Sequence, residues 1–492
     1  MNNEAMIAHV KAQLQLAAQL QAEGRKPQMI AVLRQMLPLQ AQGTFWGEVA
    51  HRLYQAADLD NAETAARKFV STCPDIPQAQ SLLAGILGDI GKLAEAISLA
   101  KKVVKKIPNT PAAHYSLGVQ LARFNRVADA QAQFAKVLDL DAGHVLAIEY
   151  LAYIGKRQAP EESLGIVNDL LDRQAYADKP DAAALHYARA TLLERQQNWG
   201  AAYKSFEAGA QLMRSVSQVD LGGMERYMER LKKSFSNEFF EKNSALTYRN
   251  KRPVFIVGMP RSGTTLVESV LAAHSSVAAG GETALVGLAT MEFGSFEPPD
   301  LARAEAEIAK GRNPWATMGK ELERLQKVRF GKRPRETEKN LGHHFFLGVI
   351  AMIAGGAPII YCKRDPVAIA WSCYKTRFSR GNGWSYDFTS IAHYQRLYAD
   401  LMQHWQSVLP GSRILEVEYE DLVTHPDELI PRIIAHAELE FEDACLSPHR
   451  SGMPVLTASL TQVRDPIHTG AIRAWQHYEP WLAPYVDDLR SA

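Results

Sequence analysis

The chain has 492 residues, 47% of them hydrophobic and 22% charged, a globular composition in a chain too long for one ordinary core. Its 55 Lys and Arg nearly cancel 54 Asp and Glu, which excludes a global field directed at nucleic acid or an anionic membrane surface, so any anion site must be local. Four scattered cysteines, Cys73, Cys362, Cys373 and Cys445, form no CxxC pair, which argues against a disulfide framework and a cysteine zinc site.

The opening stretch MNNEAMIAHVKAQLQLAAQL lacks the basic start and unbroken apolar core of a signal peptide. No run approaches the roughly 20 apolar residues of a membrane span. The expectation is a soluble cytoplasmic protein with no integral membrane segment and no nucleic-acid partner.

From Gly43 the chain repeats itself. GTFWGEVAHRLYQAADLDNAETAARKFVSTCP, PQAQSLLAGILGDIGKLAEAISLAKKVVKKIP from Pro77 and PAAHYSLGVQLARFNRVADAQAQFAKVLDLDA from Pro111 start 34 residues apart. Slot eight is small (Ala50, Ala84, Gly118), slot eleven is Leu (Leu53, Leu87, Leu121) and slot twenty is Ala (Ala62, Ala96, Ala130). Small residues let two antiparallel helices approach, and the large apolar slots fill the groove between successive hairpins. The pattern resembles the tetratricopeptide repeat. Weaker units start at Val145 and Pro180, and residues 5–39 read as a cap or degenerate first unit. Such an array implies either a concave surface for a peptide or protein partner or a scaffold for the second half. His51, His114, His144 and His186 lie singly on its helices and suggest no chemistry.

After about Arg230 the helical period breaks. The expected division is a helical array over 1–235, a linker over 236–252 and an α/β domain over 253–492. Apolar bursts VFIVG (254–258), APIIYC (357–362) and RILEVEY (413–419) each lead into a helical stretch, which predicts buried parallel strands and ligands beyond their carboxyl ends. GMPRSGTT (258–265) occupies that place after the first strand. Gly258 and Gly263 allow close backbone approach, and the amides of Ser262, Gly263, Thr264 and Thr265 open the next helix toward an anion. The lysine that triphosphatases place before Ser/Thr is absent, and Arg261 supplies a cation earlier in the loop. In IIYCKRDPVAIAWSCYK, Arg364 ends a strand and Ser372 lies eight residues on, so both can reach a second phosphate; the alternative is an Arg364 to Asp365 pair.

PVFIVGMPRSGTTLVESVLAAHSSVAAGGET, KRDPVAIAWS and EVEYEDLVTHP together resemble the sulfotransferases that use 3′-phosphoadenosine 5′-phosphosulfate, above all the tyrosylprotein sulfotransferases, over about residues 250–480. The array in front resembles a bacterial class of such enzymes whose acceptors vary. The resemblance implies an N-terminal α-solenoid followed by a P-loop-like α/β sulfotransferase domain with a parallel sheet, a nucleotide donor and no metal. It implies that Arg261, Ser262, Gly263, Thr264 and Thr265 bind the 5′-phosphosulfate, that Arg364 and Ser372 bind the 3′-phosphate, and that Tyr419 lies near adenine. Lys339, in RETEKNLGHH, matches the donor-contacting lysine, and Glu282 matches the catalytic glutamate 21 residues past the loop arginine. His274, His343 and His344 are rival bases, histidine having the better-matched intrinsic pKa. TASLTQVRDPIHTGAIRAWQHY resembles the closing segment, with Ser459 (or Thr461) near the transferring group and Arg473 (or Arg464) at the 3′-phosphate.

The arginines that follow the family's glutamate are replaced here by TALVGLA, and its paired cysteines are missing. The acceptor is therefore a hydroxyl of open class: a protein tyrosine, a sugar, or a small alcohol or phenol. Rival readings are a nucleotide-binding phosphotransferase and a repeat-based adaptor with an inactive domain.

Overall fold

A computed structural model describes residues 3–40, 43–155, 160–173, 180–294, 298–378, 381–409, 413–451 and 465–491. By packing the chain forms two compact units, Met1–Ala147 and Ile148–Ala492.

The first unit is an array of antiparallel helix pairs: Asn3–Ala22 with Lys26–Met36, Phe45–Gln55 with Leu59–Thr72, Pro77–Asp89 with Leu93–Lys106, and Pro111–Arg123 with Val127–Leu140. The 34-residue slots do what their sizes require. Ala50, Ala84, Ala62, Ala96 and Ala130 are fully buried, as are Leu53 and Leu87, with Leu121 nearly so. A Cβ on Gly118 would lie 2.7 Å from Cε1 of Phe134, so no larger slot-eight residue fits there. Pro77 and Pro111 open their helices, where a missing N–H costs nothing.

A further period lies in the backbone. The turns within successive pairs carry Ala57, Gly91 and Asn125 at positive φ (64°, 82° and 59°). Glycine is relaxed in this left-handed region and Asn is tolerated, whereas Ala is strained.

The second unit holds a five-stranded, wholly parallel sheet of β1 (Pro253–Gly258), β2 (Val277–Ala278), β3 (Arg335–Glu338), β4 (Ile359–Lys363) and β5 (Ile414–Glu418), in the order β2-β3-β1-β4-β5. β1 lies at the centre and every one of its residues is buried. Val254 and Ile256 pack with Val267, Val270 and Leu271 of the following helix, and with Ile360, Val417, Ile430 and Ile433. The crossover helices cover the faces, so the apolar bursts read as continuous rather than alternating.

Two strands depart from the reading by apolar bursts. β2 is only two residues long. β3 is the charged sequence RETE, yet all four residues are buried. Each carboxyl has a partner at one oxygen only: Glu336 pairs with Arg252, Glu338 accepts from the Thr283 hydroxyl, and burial pushes both upward. Tyr419 also moves, since β5 stops at Glu418 and Tyr419 opens the helix Tyr419–Thr424.

Helices Pro180–Arg195 and Trp199–Val216 belong to this same unit. Tyr203 and Phe206 set their rings 6.2 and 5.6 Å from Trp371, and the Tyr187 hydroxyl donates to the Tyr374 carbonyl at 3.0 Å. Among the described residues no helix is long and apolar enough to cross a membrane.

Replacing Ala57 by Gly should raise stability by about 0.5–1 kcal/mol, because relief of left-handed strain exceeds the added freedom of the unfolded chain. A chemical-denaturation midpoint that does not rise would contradict this account of the turn.

Candidate active site

The site lies at the carboxyl ends of β3, β1 and β4, which are neighbours in the sheet. The loop after β1 needs two left-handed residues, Arg261 at φ 70° and Gly263 at φ 100°. Glycine is required at 263 for space as well, since a Cβ there would lie 2.7 Å from Cδ2 of Tyr419. At Gly258 a Cβ would meet the Cys362 carbonyl of β4 at 2.8 Å. Strain at Arg261 is the kind of backbone cost that persists where the surroundings hold it. Here Arg261 Nε donates to Ser372 Oγ at 2.9 Å, and Cys373 Sγ reaches the Pro260 carbonyl at 3.4 Å. The Ser262 amide turns inward to the Met259 carbonyl (3.1 Å), and the next helix starts at Thr264.

Arg364 does not pair with Asp365. The Asp365 carboxylate caps its own helix, Pro366–Tyr374, by accepting from the Ala368 amide at 2.7 Å. Arg364 instead donates from Nη1 to the Arg261 carbonyl (3.0 Å) and from Nη2 to the Ala471 carbonyl (2.6 Å). Its guanidinium lies 4.5 Å from the centre of the Tyr419 ring. The structure thus brings together Arg261, Arg364, Ser372, Gly263 and Tyr419. Two buried polar atoms in this cluster have no protein partner, Ser262 Oγ and Arg364 Nε. Buried donors without a partner are costly unless something else accepts from them, and a bound anion fits.

Directly after β3 stands Lys339, 1% exposed at its side chain. Its ammonium lies 3.3 Å from Glu282 and 3.8 Å from Glu268. A buried ammonium requires such carboxylates. Glu282 is 43% exposed and so presents its free oxygen toward solvent. Its loop is stitched to β3 by backbone and side chain alike: Gly280 N donates to Thr337 Oγ1 (2.9 Å), Lys339 N to the Gly281 carbonyl (3.0 Å), Asn340 Nδ2 to the Thr283 carbonyl (2.8 Å), and Thr283 Oγ1 to Glu338.

Glu268 is absent from the residues that sequence reasoning selected. It sits on the helix Thr264–Ala272 and accepts from Gly281 N at 2.7 Å and Thr337 Oγ1 at 2.9 Å. It therefore joins the anion loop's helix to the loop of Glu282. The available signal was a lone carboxylate in the otherwise apolar run LVESVLAA. Thr283, Glu338 and Asn340 were missed too, because nothing local marks residues whose partners come from another strand.

The rival histidines are otherwise engaged. His274 Nε2 bonds the Glu440 carbonyl at 2.8 Å. Burial pushes His343 down to about 3 and His344 down to about 4, so both rings stay neutral near pH 7. Arg473 is exposed, two residues past Ala471. Ser459, Thr461 and Arg464 lie outside the described residues.

Burial pushes the Glu338 carboxyl up to about 8 from 4.5, although Thr283 donates to it. The folded state thus favours the protonated form. Stability from this group is full below about pH 4.5 and is lost as pH rises toward about 8. Replacing Glu338 by Gln should widen the melting-temperature advantage of the variant between about pH 5 and about pH 8. A gap that stays constant with pH would show that Glu338 titrates normally.

Residues 253–443 match the sulfotransferase family model, a span that contains the five strands. An uncharacterized protein of Aquifex aeolicus is 27% identical over 447 residues, 89% of this chain and 57% of that protein. The protein-tyrosine sulfotransferase of Drosophila melanogaster is 26% identical over 262 residues, 46% of this chain and 48% of that protein. The chain thus spans about half the length of these relatives. Among solved structures, the sulfotransferase domain of the Synechococcus PCC 7002 olefin synthase is 22% identical, covering 46% of this chain and 89% of that domain with a TM-score of 0.35. MamA of Desulfovibrio magneticus RS-1 is 18% identical over 35% of this chain and 94% of its own, with a TM-score of 0.29. The α/β part of the chain, residues 253–443, is the part that matches the sulfotransferase family.

Proposed function

We propose that the chain transfers a sulfuryl group from 3′-phosphoadenosine 5′-phosphosulfate to a hydroxyl acceptor. The observation that carries this reading is the convergence at neighbouring strand ends of two arginines and an ion-paired glutamate: Arg261 with Ser372, Arg364 beside them, and Lys339 3.3 Å from Glu282. A single phosphate would need only the first loop. A donor with both a 5′-phosphosulfate and a 3′-phosphate accounts for the second arginine, and the unpartnered Ser262 Oγ and Arg364 Nε supply further donors for its oxygens.

The donor brings a sulfuryl group joined to phosphate through an anhydride oxygen. In this reading Glu282 accepts the acceptor hydroxyl's proton as the oxygen–sulfur bond forms and the bridging sulfur–oxygen bond breaks. Arg261 and Lys339 offset the charge that develops on the departing 5′-phosphate. Tyr419, held against Arg364 and Gly263, borders the nucleotide side of the site. Lys339 has a second task, holding Glu282 in place through their ion pair. The exposed carboxylate and the absence of a following arginine cluster suit an acceptor recognised by its hydroxyl rather than by neighbouring acidic groups.

With radiolabelled donor and a panel of phenols, sugars and tyrosine peptides, Glu282→Gln should lower turnover by about 10²–10⁴-fold while still binding adenosine 3′,5′-bisphosphate. Arg261→Ala should weaken that binding. Equal labelling by the wild type and both variants would sink the assignment.

A further inference from the structure

The anion cluster is closed into a ring by a residue from the helical region. Arg261 bonds Ser372, and Arg364 bonds both the Arg261 carbonyl and the Ala471 carbonyl. Ser372 and Lys375 are one helical turn apart, at the end of Pro366–Tyr374 and just past it. Lys375 Nζ reaches Glu194 Oε1 at 3.2 Å, and the Tyr478 hydroxyl donates to the same oxygen at 2.8 Å. Tyr478 lies seven residues past Ala471, is fully buried, and sets its ring 4.0 Å from Trp371, the residue before Ser372. One carboxylate thus ties the Ser372 helix to the C-terminal segment whose carbonyl orients Arg364.

The surrounding contacts make this a rigid junction. Trp199 stacks on His477 at 4.2 Å with planes 6° apart, and Tyr203 stacks on Trp481 at 5.2 Å. Arg377 pairs with Glu149 through two bonds of 2.7 and 2.5 Å. Glu194 is the penultimate residue of the helix Pro180–Arg195 and keeps its side chain only 20% exposed. No chemistry proposed above needs it.

We propose that Glu194 is a positioning residue for the 3′-phosphate subsite, so that helices Pro180–Arg195 and Trp199–Val216 are part of the donor site. The proposal rests on the donor reading given above. Without the Glu194 carboxylate, Lys375 and Tyr478 lose their shared acceptor, the Ser372 helix and the C-terminal segment keep their ring contact but lose this polar tie, and the spacing of Arg364 and Ser372 loosens. Affinity for a nucleotide with a 3′-phosphate then falls, whereas affinity for one without it does not.

Calorimetry of the full chain with adenosine 3′,5′-bisphosphate and with adenosine 5′-monophosphate tests this. The wild type should prefer the bisphosphate. Glu194→Ala should reduce that preference about tenfold with the monophosphate affinity unchanged, and Glu194→Gln, which keeps an acceptor oxygen, should recover part of it. A folded Glu194→Ala protein with an undiminished preference overturns the proposal. Should that variant fail to fold, Tyr478→Phe removes a single hydroxyl and must lower the preference; an unchanged value overturns the proposal equally. A wild type that binds both nucleotides alike overturns the donor reading itself, and this inference with it.

Discussion

An ammonium group 1% exposed, at Lys339, is the constraint around which the α/β domain is arranged. Removing such a charge from water costs several kcal/mol unless carboxylates stand close and are themselves held. Glu268 and Glu282 meet that need from two different segments, and each brings its segment along. Through Glu268 the helix of the anion loop is bound to Gly281 and Thr337, and through Glu282 the exposed loop is bound to the end of β3. The anion loop and the glutamate loop therefore cannot move independently.

The same principle governs the second cluster. Arg261 is held at positive φ by its bond to Ser372, and Arg364 is spent on two backbone carbonyls and one ring face. The hydrogen bonds of Arg364 go to neutral backbone carbonyls rather than to carboxylates, which concentrates positive charge locally in a chain whose formal charge is only +1. Local charge without a global field suits a small anionic substrate rather than a polyanion.

Much of this was legible in the residues. The 34-residue period located helix pairs because small and large slots have different packing consequences, and burial of those slots follows the period. The glycine-flanked loop, Arg364 with Ser372, and Glu282 with Lys339 were each visible as local motifs at a strand end. β3 was not, because RETE has no apolar signature and its burial depends on Arg252 and Thr283, which lie 84 and 55 residues from their partners Glu336 and Glu338. Glu268 escaped for a related reason: a carboxylate on an apolar helix has meaning only when its acceptor geometry toward Gly281 and Thr337 is known.

Local chemistry by itself determined the helical array, the central buried strands, the anion loop and its missing lysine, since each depends on residues within a few positions of one another. Only tertiary structure decided that Asp365 caps a helix while Arg364 turns to Arg261, that the buried histidines stay neutral, and that Glu194 reaches Lys375 and Tyr478. Those outcomes depend on desolvation and on hydrogen bonds between distant segments, and neither quantity exists until the chain has packed.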